Sequence, residues 1–402
     1  MTRHAARLLC AACILAAPLA AQEVAPFALP SSTTGAEAVL LNPAALADLE
    51  GAHGYLGLQQ LYQKTEGEGV DGMDDRSIQA PFAAAWNLGD DWAVGVGEME
   101  VFDSAASFPV KSFTDSFRKF RFSVSEWRGA AAYRVSDDVN VGLALRFLNA
   151  DYALGRDVMV AWEGPPPINN WIAGAYSGGA DALGFELSAL WKANGFTLGA
   201  ILRPEVKFDL GYSDFSVEFA MLDDLEDWEE AIVRTYYPGG GVKTEAILPL
   251  EARVSVTLAP AGPWRFSGEV GWAQWSEWET VSLDYANETV DPETGIPILT
   301  DTQFFNEFQD AFSLTGMAAR TFDHSIEAYG RLAWQGRICD DPSGATLRPN
   351  DGAVITLGGR YPWRFGEFRF AVDAFYSFGV YSANNGFEMG RNLLGAGLSV
   401  SY

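Results

Sequence analysis

Apolar and polar side chains alternate along many stretches of this chain, which is the period of a β-strand. In 249–258 the even-numbered positions are Leu, Ala, Val, Val and Leu, whereas Glu, Arg, Ser and Thr occupy the odd positions from 251. The stretches 201–210 and 367–378 repeat the pattern. Charges of both signs on one face can pair across a polar interior, but on a lipid face each would cost about 2–4 kcal/mol at the bilayer midplane. The alternation therefore predicts strands that are apolar toward lipid and polar toward a lumen.

The pattern predicts about 14 strands, many of them long enough to cross a bilayer at a tilt. Short turns follow the even-numbered strands, whereas longer connections, such as 156–182, 214–248 and 286–308, follow odd-numbered ones. This alternation of short and long connections is typical of an up-and-down barrel with periplasmic turns at one end. We therefore predict an all-β fold, a transmembrane antiparallel barrel of about 14 strands. The predicted strands are 52–63, 77–88, 91–102, 119–135, 138–155, 183–193, 196–213, 249–258, 263–285, 309–321, 323–336, 351–361, 367–380 and 391–402.

Two positions interrupt the alternation within predicted strands. Near Glu126-Trp127 and near Gln274-Trp275, the apolar residues change from one face to the other. Each change indicates either a β-bulge, in which an extra residue shifts the phase, or a strand boundary that lies elsewhere. The sequence leaves both explanations open.

The first residues have the composition of a secretory signal peptide. Arg3 and Arg7 precede an apolar run at 8–17, and a stretch of small residues ends at Ala21. The run is too short to cross a bilayer as a helix. We therefore expect residues 1–21 to be removed on export.

Composition and charge narrow the class of protein further. The formal net charge of −26 argues against a nucleic-acid partner. No segment after the signal peptide reaches the length of about 18 consecutive apolar residues that indicates a membrane-spanning helix. Cys10 and Cys13 lie in the signal peptide, so Cys339 is left without a partner for an internal disulfide.

Four stretches resemble the FadL/TodX family, the outer-membrane transporters of long-chain fatty acids and other hydrophobic compounds. They follow one another in the order of the family and together span most of the chain after the signal peptide. Each is short, so the order and spacing carry the resemblance. The stretches are Asn42-Pro43-Ala44, Arg203-Pro204-Glu205-Val206-Lys207, Leu248-Pro249-Leu250 with the later Trp272-Ala273-Gln274-Trp275-Ser276, and Leu347-Arg348-Pro349-Asn350-Asp351-Gly352 with the later Leu357-Gly358.

The resemblance implies a monomeric barrel at 51–402, located in the bacterial outer membrane and closed inside by an N-terminal hatch at 22–50. It implies passive uptake of an apolar ligand that extracellular loops capture and that leaves through a hatch rearrangement and a sideways opening at a strand kink. It also implies no cofactor and no metal. The stretch before Asn42 is shorter than the usual hatch of the family. The sequence therefore does not decide whether the hatch closes the lumen completely.

Three groups of residues are candidates for the site. Asn42, Pro43 and Ala44 are expected to form the hatch motif, although Asn-Pro also starts ordinary turns. Arg203 and Lys207 face inward and are candidate contacts for a ligand carboxylate, with pairing to nearby acidic residues as the alternative. The candidates for ligand capture lie in two apolar loops, where the spacing from Phe215 to Trp228 also predicts a helical piece. They are Trp162, Trp171, Ile172, Phe215, Phe219, Leu222 and Trp228, and the alternative is that they pack on one another as a cap.

Other functions are less consistent with the sequence. His53 and His324 are the histidines outside the signal peptide, and neither lies in a recognisable catalytic motif, so we expect no enzyme. A general porin would gain nothing from apolar loops. A secretion-accessory or structural barrel of the same superfamily remains the alternative.

The expected partners follow from the membrane location. They are a hydrophobic small molecule, outer-membrane lipid and lipopolysaccharide. The barrel assembly machinery is a further expected partner because the last strand, 391–402, alternates and ends on the aromatic Tyr402.

Overall fold

The computed structural model describes most of the chain after the first residues. It covers residues 25–402 apart from 68–69, 90, 108–116, 163–167, 222–226, 261, 278–279, 291–296, 300, 306–308, 337–348 and 384–387. Among these described residues, no helix is both long and apolar enough to cross a membrane. The signal peptide predicted at 1–21 lies outside them and stays a prediction.

The fold is a closed antiparallel barrel of 14 strands, as predicted. Five strands are interrupted and consist of two pieces each. The strands are β1 (Ala52–Gly67), β2 (Val70–Gln79 and Phe82–Asn87), β3 (Trp92–Ser107), β4 (Phe117–Ser136), β5 (Val139–Trp162), β6 (Ile168–Ala193), β7 (Phe196–Arg203 and Val206–Leu210), β8 (Gly240–Leu248 and Glu251–Leu258), β9 (Trp264–Ala273 and Thr280–Tyr285), β10 (Thr302–Phe305 and Ala311–Thr321), β11 (Glu327–Gln335), β12 (Pro349–Phe365), β13 (Phe368–Ala383) and β14 (Glu388–Ser401).

The barrel closes because its last strand pairs with its first. The antiparallel register of β1 and β14 runs without a shift from His53↔Ser401 to Glu66↔Glu388. Closure satisfies the backbone groups that a free sheet edge would expose to lipid. The strand that ends the chain is therefore part of the wall.

The short turns lie at one end of the barrel, as predicted, but several predicted connections were wrong. Much of 156–182 is strand, because β5 and β6 pair from Val139↔Trp191 up to Trp162↔Ile168. Most of the turn predicted at 362–366 belongs to β12. In 214–248 the predicted helical piece begins later, at Asp227, because Phe215–Met221 forms a strand that pairs with β6.

The two interruptions of the alternation also have different origins. At Glu126-Trp127 the alternation of buried and exposed positions continues from Val124 to Ala132, so β4 has no bulge there. The inner face changes from apolar to charged, and the bulge lies on the facing strand between Glu100 and Phe102. At Gln274-Trp275 a 3₁₀ turn, Trp275–Glu277, interrupts β9.

Outward-facing positions carry exposed apolar side chains around the barrel. Leu58, Phe312 and Leu357 are 60%, 58% and 62% exposed. A contiguous apolar surface of this extent is not stable in water but is the expected surface in a bilayer. Exposed aromatic rings such as Trp264 and Tyr361 lie near the short-turn end, where membrane barrels carry an aromatic girdle.

The lumen is filled in three layers between the short-turn end and the loop end. The lower apolar layer contains the hatch, which is residues 25–50, and the inward side chains around it, such as Ala85, Ala132, Ala144 and Leu190. The charged layer above it contains buried Glu and Arg side chains of β4 to β11. The upper apolar layer includes Leu148, Tyr176, Phe208, Val217, Val242, Ile247, Trp275, Tyr285 and Tyr381.

Candidate functional site

The hatch folds around the side chain of Asn42, which is fully buried. Its Nδ2 donates to the carbonyl oxygen of Pro30 at 2.9 Å, and its Oδ1 accepts from the N–H of Ala44 at 3.1 Å. This second bond caps the 3₁₀ helix Pro43–Asp48, in which proline occupies the first turn, where it loses no hydrogen bond. The motif predicted from sequence therefore joins two turns of the hatch.

Removal of the Asn42 side chain is expected to loosen the hatch while leaving the barrel intact. Asn42→Ala deletes both hydrogen bonds, and the loss of a cap residue costs about 0.5–2 kcal/mol. Hydrogen–deuterium exchange of hatch amides should become faster, with strand amides unchanged. Thr34→Ala, at an exposed position of the hatch, is the matched control. Equal exchange in the native protein and in Asn42→Ala would contradict the assigned role.

The barrel wall binds the hatch through side chains of several strands. Ser188 Oγ accepts from the N–H of Ala44 at 2.9 Å, and Arg134 donates to the carbonyl oxygen of Ala47 at 2.6 Å. Lys192 forms an ion pair of 2.6 Å with Asp48. The backbone also approaches closely, since a Cβ on Gly142 would lie 2.3 Å from the nitrogen of Ala44. The hatch is thus held against β4, β5 and β6.

Arg128 links the hatch to the charged layer. Its Nη1 donates to the carbonyl oxygen of Leu40 at 2.8 Å and approaches that of Val39 at 3.4 Å. Both carbonyls belong to the short helix α1 (Ala38–Leu41), whose last carbonyls have no partner within the helix. The same guanidinium forms ion pairs with Glu126 and, at 3.1 Å, with Glu186.

The charged layer is a continuous network of ion pairs. Arg146 bonds Glu126 at 2.7 Å, and Arg203 bonds Glu186 at 2.6 Å. Arg203 also reaches Glu251 at 3.0 Å, which in turn bonds a further arginine, Arg253. Opposite charges are needed here because the side chains are buried, and an unpaired buried charge is very costly. The composition of the sequence indicated charges inside the barrel but not this network.

The structure places the two candidate contacts for a ligand carboxylate in different settings. The Arg203 side chain is almost fully buried and is occupied by two carboxylates, Glu186 and Glu251. Lys207 is 55% exposed and lies between Glu205 at 3.4 Å and Glu245 at 3.7 Å. Both cations therefore have the acidic neighbours that the sequence left as the alternative. The prediction that Lys207 faces inward was wrong, because Val206 and Phe208 on either side of it are the buried residues of this strand.

The candidate capture residues that the structure describes lie at the loop end of the barrel. The ring of Phe219 packs on the upper apolar layer, 6.5 Å from Tyr176 and 5.3 Å from Tyr237, measured between ring centres. Leu222 lies outside the described residues. For the others the structure describes the backbone only: Trp162 ends β5, Trp171 and Ile172 lie in β6, Phe215 begins the loop strand, and Trp228 lies in helix α2 (Asp227–Tyr236).

The wall has an interruption between β2 and β3, here termed the seam. The lower piece of β2 pairs with β3 only from Asn87↔Ala93 up to Phe82↔Glu98. The upper piece, Val70–Gln79, pairs with β1, and among the described residues no ladder joins it to β3. Pro81 lies between the pieces and accepts from the N–H of Gly57 at 2.7 Å, but it has no N–H to donate.

A cavity of about 260 Å³ lies at the seam. Glu98 and Ser125, in its lining, have the same strand parity as the exposed Val96 and Trp127, so the cavity is on the outer side of the wall. The seam therefore carries a polar depression in an otherwise apolar outer surface. The cavity is lined by Ile78, Gln79, Ala80, Pro81, Glu98, Glu100, Ser123, Ser125 and Asp151.

The described residues do not form a recognisable enzyme or metal centre. Within the part of the chain that the structure describes, no three His, Cys, Asp or Glu side chains come together to hold a metal ion. His53 Nε2 contacts the carbonyl oxygen of Glu50 at 2.9 Å, and His324 lies in the turn before β11. Among the described residues, neither histidine has a hydrogen bond to a serine.

The closed barrel, its apolar outer surface and the hatch inside it define an outer-membrane transport barrel. A sequence profile described as "Outer membrane protein transport protein (OMPP1/FadL/TodX)" matches residues 28–315. The chain therefore belongs to the FadL/TodX family, whose members are outer-membrane transporters of hydrophobic compounds. The protein is accordingly located in the outer membrane.

Solved structures of the family have the same fold. A Pseudomonas aeruginosa FadL homologue superimposes with a TM-score of 0.74 at 14% identity, covering 94% of this chain and 96% of that one. The toluene transporter TbuX of Ralstonia pickettii gives 0.65 at 14% identity, covering 92% and 96%. The toluene transporter TodX of Pseudomonas putida gives 0.62 at 14%, covering 92% and 94%. No curated protein sequence matches.

Proposed function

We propose that this protein takes up small apolar compounds, long-chain fatty acids or aromatic hydrocarbons, by a passive route that ends at the seam. The order of the layers in the lumen carries this proposal. An apolar compound that enters from the loop end first meets the upper apolar layer, where burial of its surface is favourable. Phe219 and the other described candidates for capture lie at this entrance.

The charged layer and the hatch oppose further movement along the barrel axis. An apolar molecule that crossed the layer would have to separate pairs such as Arg146–Glu126 and Arg203–Glu186. Separation of a buried ion pair costs about 3–5 kcal/mol. Below this layer, the hatch occupies the lumen with buried side chains such as Leu40 and Leu46.

The seam offers a sideways route that avoids the axial barrier. It begins above the Phe82↔Glu98 pair, where the ladder between β2 and β3 ends. Just below this point, Gly97 lies against the hatch, since a Cβ there would be 2.8 Å from Leu40 Cδ2. A movement of the hatch at Leu40 would therefore remove a contact that covers the seam from the lumen side. In this proposal the ligand reaches the membrane through the seam after the hatch has moved.

Binding can be tested without assuming the route. Purified protein in a detergent without acyl chains should retain a co-purified apolar compound in native mass spectrometry. It should also bind added palmitate or toluene, with saturable quenching of tryptophan fluorescence. Saturable binding of both compounds would indicate that the protein accepts fatty acids and aromatic hydrocarbons alike. Saturable binding of only one would identify the substrate class. An empty protein that binds neither would contradict the proposal and would favour a structural or secretion-accessory barrel.

A further inference from the structure

Two buried carboxyl groups lie between the hatch and the wall without hydrogen-bond partners. Glu37 belongs to the hatch and Asp373 to β13, and both are fully buried. None of their four carboxyl oxygens has a partner among the described residues. Glu37 precedes helix α1, but its side chain does not cap the helix. Glu37 and Arg360 both lie within electrostatic range of Asp373, so the charge of Glu37 repels that of Asp373 while the charge of Arg360 attracts it.

Arg360 is near enough to attract the Asp373 carboxylate but forms no hydrogen bond with it, because its guanidinium packs against the hatch. Arg360 lies directly opposite Asp373 in the register of β12 and β13. Its guanidinium lies 4.3 Å from the ring centre of Phe27 in the hatch and donates to Ser399 at 3.4 Å. Arg265 donates to the carbonyl oxygen of Phe27 at 3.3 Å, which fixes the position of that residue.

Departure of the hatch would improve the surroundings of all three groups. Glu37 would reach water, so its desolvation would end. Arg360 would lose the ring of Phe27, and its guanidinium would become free to bond the carboxylate opposite it. Asp373 would then gain a partner without any movement of the strands, because the register already places the two residues side by side.

We propose that Glu37, Asp373 and Arg360 form a charge switch that favours opening of the hatch. The inference rests on the hatch movement in the proposed function and adds the residues that drive it. The contacts of Arg128, Ser188 and Lys192 hold the hatch closed from the β4–β6 side. The switch acts against them from the β12–β13 side.

The first test removes the charge of Glu37 and keeps its shape. A buried charge without partners costs more than a neutral amide of the same shape in the same place, so Glu37→Gln should make hatch opening at least about fivefold rarer. Hydrogen–deuterium exchange of the amides at 38–41 should slow by that factor, and uptake of the apolar ligand should fall. Asp48→Asn is the matched control, because Asp48 is paired with Lys192 and its neutralisation should speed exchange.

The second test addresses the pair that forms in the open state. Arg360→Met keeps an apolar side chain against Phe27 but cannot bond Asp373, so it should also slow hatch exchange. In an Asp373→Asn background, which has already lost that pair, Arg360→Met should have no further effect. Independent effects of the two changes would overturn the proposed pair.

Three outcomes would overturn the switch as a whole. One is exchange in Glu37→Gln that is as fast as in the native protein, or faster. Another is a hatch that Ca²⁺ stabilises in the native protein but not in Glu37→Gln, which would assign the two carboxylates to a cation site. A third is slowed exchange in Asp48→Asn as well, which would make the effect one of net charge. Exchange reports the switch even in a protein that transports nothing, so failure of the switch and failure of the proposed function are distinguishable.

Discussion

Replacement of Arg128 by methionine is expected to release the hatch and to destabilise the barrel by about 3–5 kcal/mol, the cost of removing one partner from a buried ion pair. Arg128 neutralises Glu126 and Glu186 and also bonds the carbonyl of Leu40. Methionine fills much of the same volume but leaves two carboxylates without this cation. Limited proteolysis should cut the hatch, and the folded barrel should unfold at a lower temperature on gels.

Arg253→Met is the matched control for this experiment. Arg253 bonds Glu251 in the same layer, and among the described residues it has no hydrogen bond to the hatch. Its replacement should lower the stability of the barrel while the hatch stays protected. If the hatch is equally protected in Arg128→Met and Arg253→Met, Arg128 does not hold the hatch.

A disulfide across the seam is expected to reduce uptake of the apolar ligand at least about tenfold, the effect of a rise of about 1.4 kcal/mol in the barrier. Extension of the Phe82↔Glu98 register would place Ala80 opposite Glu100, and both residues line the cavity at the seam. Ala80→Cys with Glu100→Cys, in a Cys339→Ser background, should therefore close the opening when oxidised. Uptake should return when the bond is reduced, which makes the reduced protein its own control.

A second cysteine pair separates closure of the seam from general stiffening. Leu314 and Trp334 face lipid and lie opposite each other in the intact ladder of β10 and β11. A disulfide at this pair should leave uptake within about twofold of the reduced protein, because no route passes there. Full uptake with the oxidised seam pair would contradict the sideways route.

The sequence predicted the barrel well because the strands and turns of the wall depend on residues that are close together in the sequence. A strand with lipid on one side and a lumen on the other must alternate, and closely spaced antiparallel strands need only short turns. These rules identified the number of strands and the turn at Asn194-Gly195, where Gly195 has a positive φ of 88°. They failed at 156–182 because β5 and β6 extend beyond the membrane, where the apolar face is no longer required.

The interior could be predicted only in part. Asn42-Pro43-Ala44 could be found because a cap and a helix start have a short-range signature. The break at Pro81 was missed, because the predicted strand 77–88 runs through it, although proline within a strand pattern indicates an interruption. The roles of Arg128 and Asp373 could not be read in this way. Their partners belong to distant parts of the chain, and only the register of the closed barrel brings them together.

In the proposed function, the barrel passes apolar compounds selectively, and its lumen is closed to water-soluble solutes. The most direct test of this function is flux into liposomes that contain the purified protein, with palmitate and toluene measured beside arabinose. We expect protein-dependent uptake of palmitate or toluene and no osmotic swelling in arabinose. Free passage of arabinose, with no selectivity for either apolar compound, would contradict the account and identify the protein as a general porin.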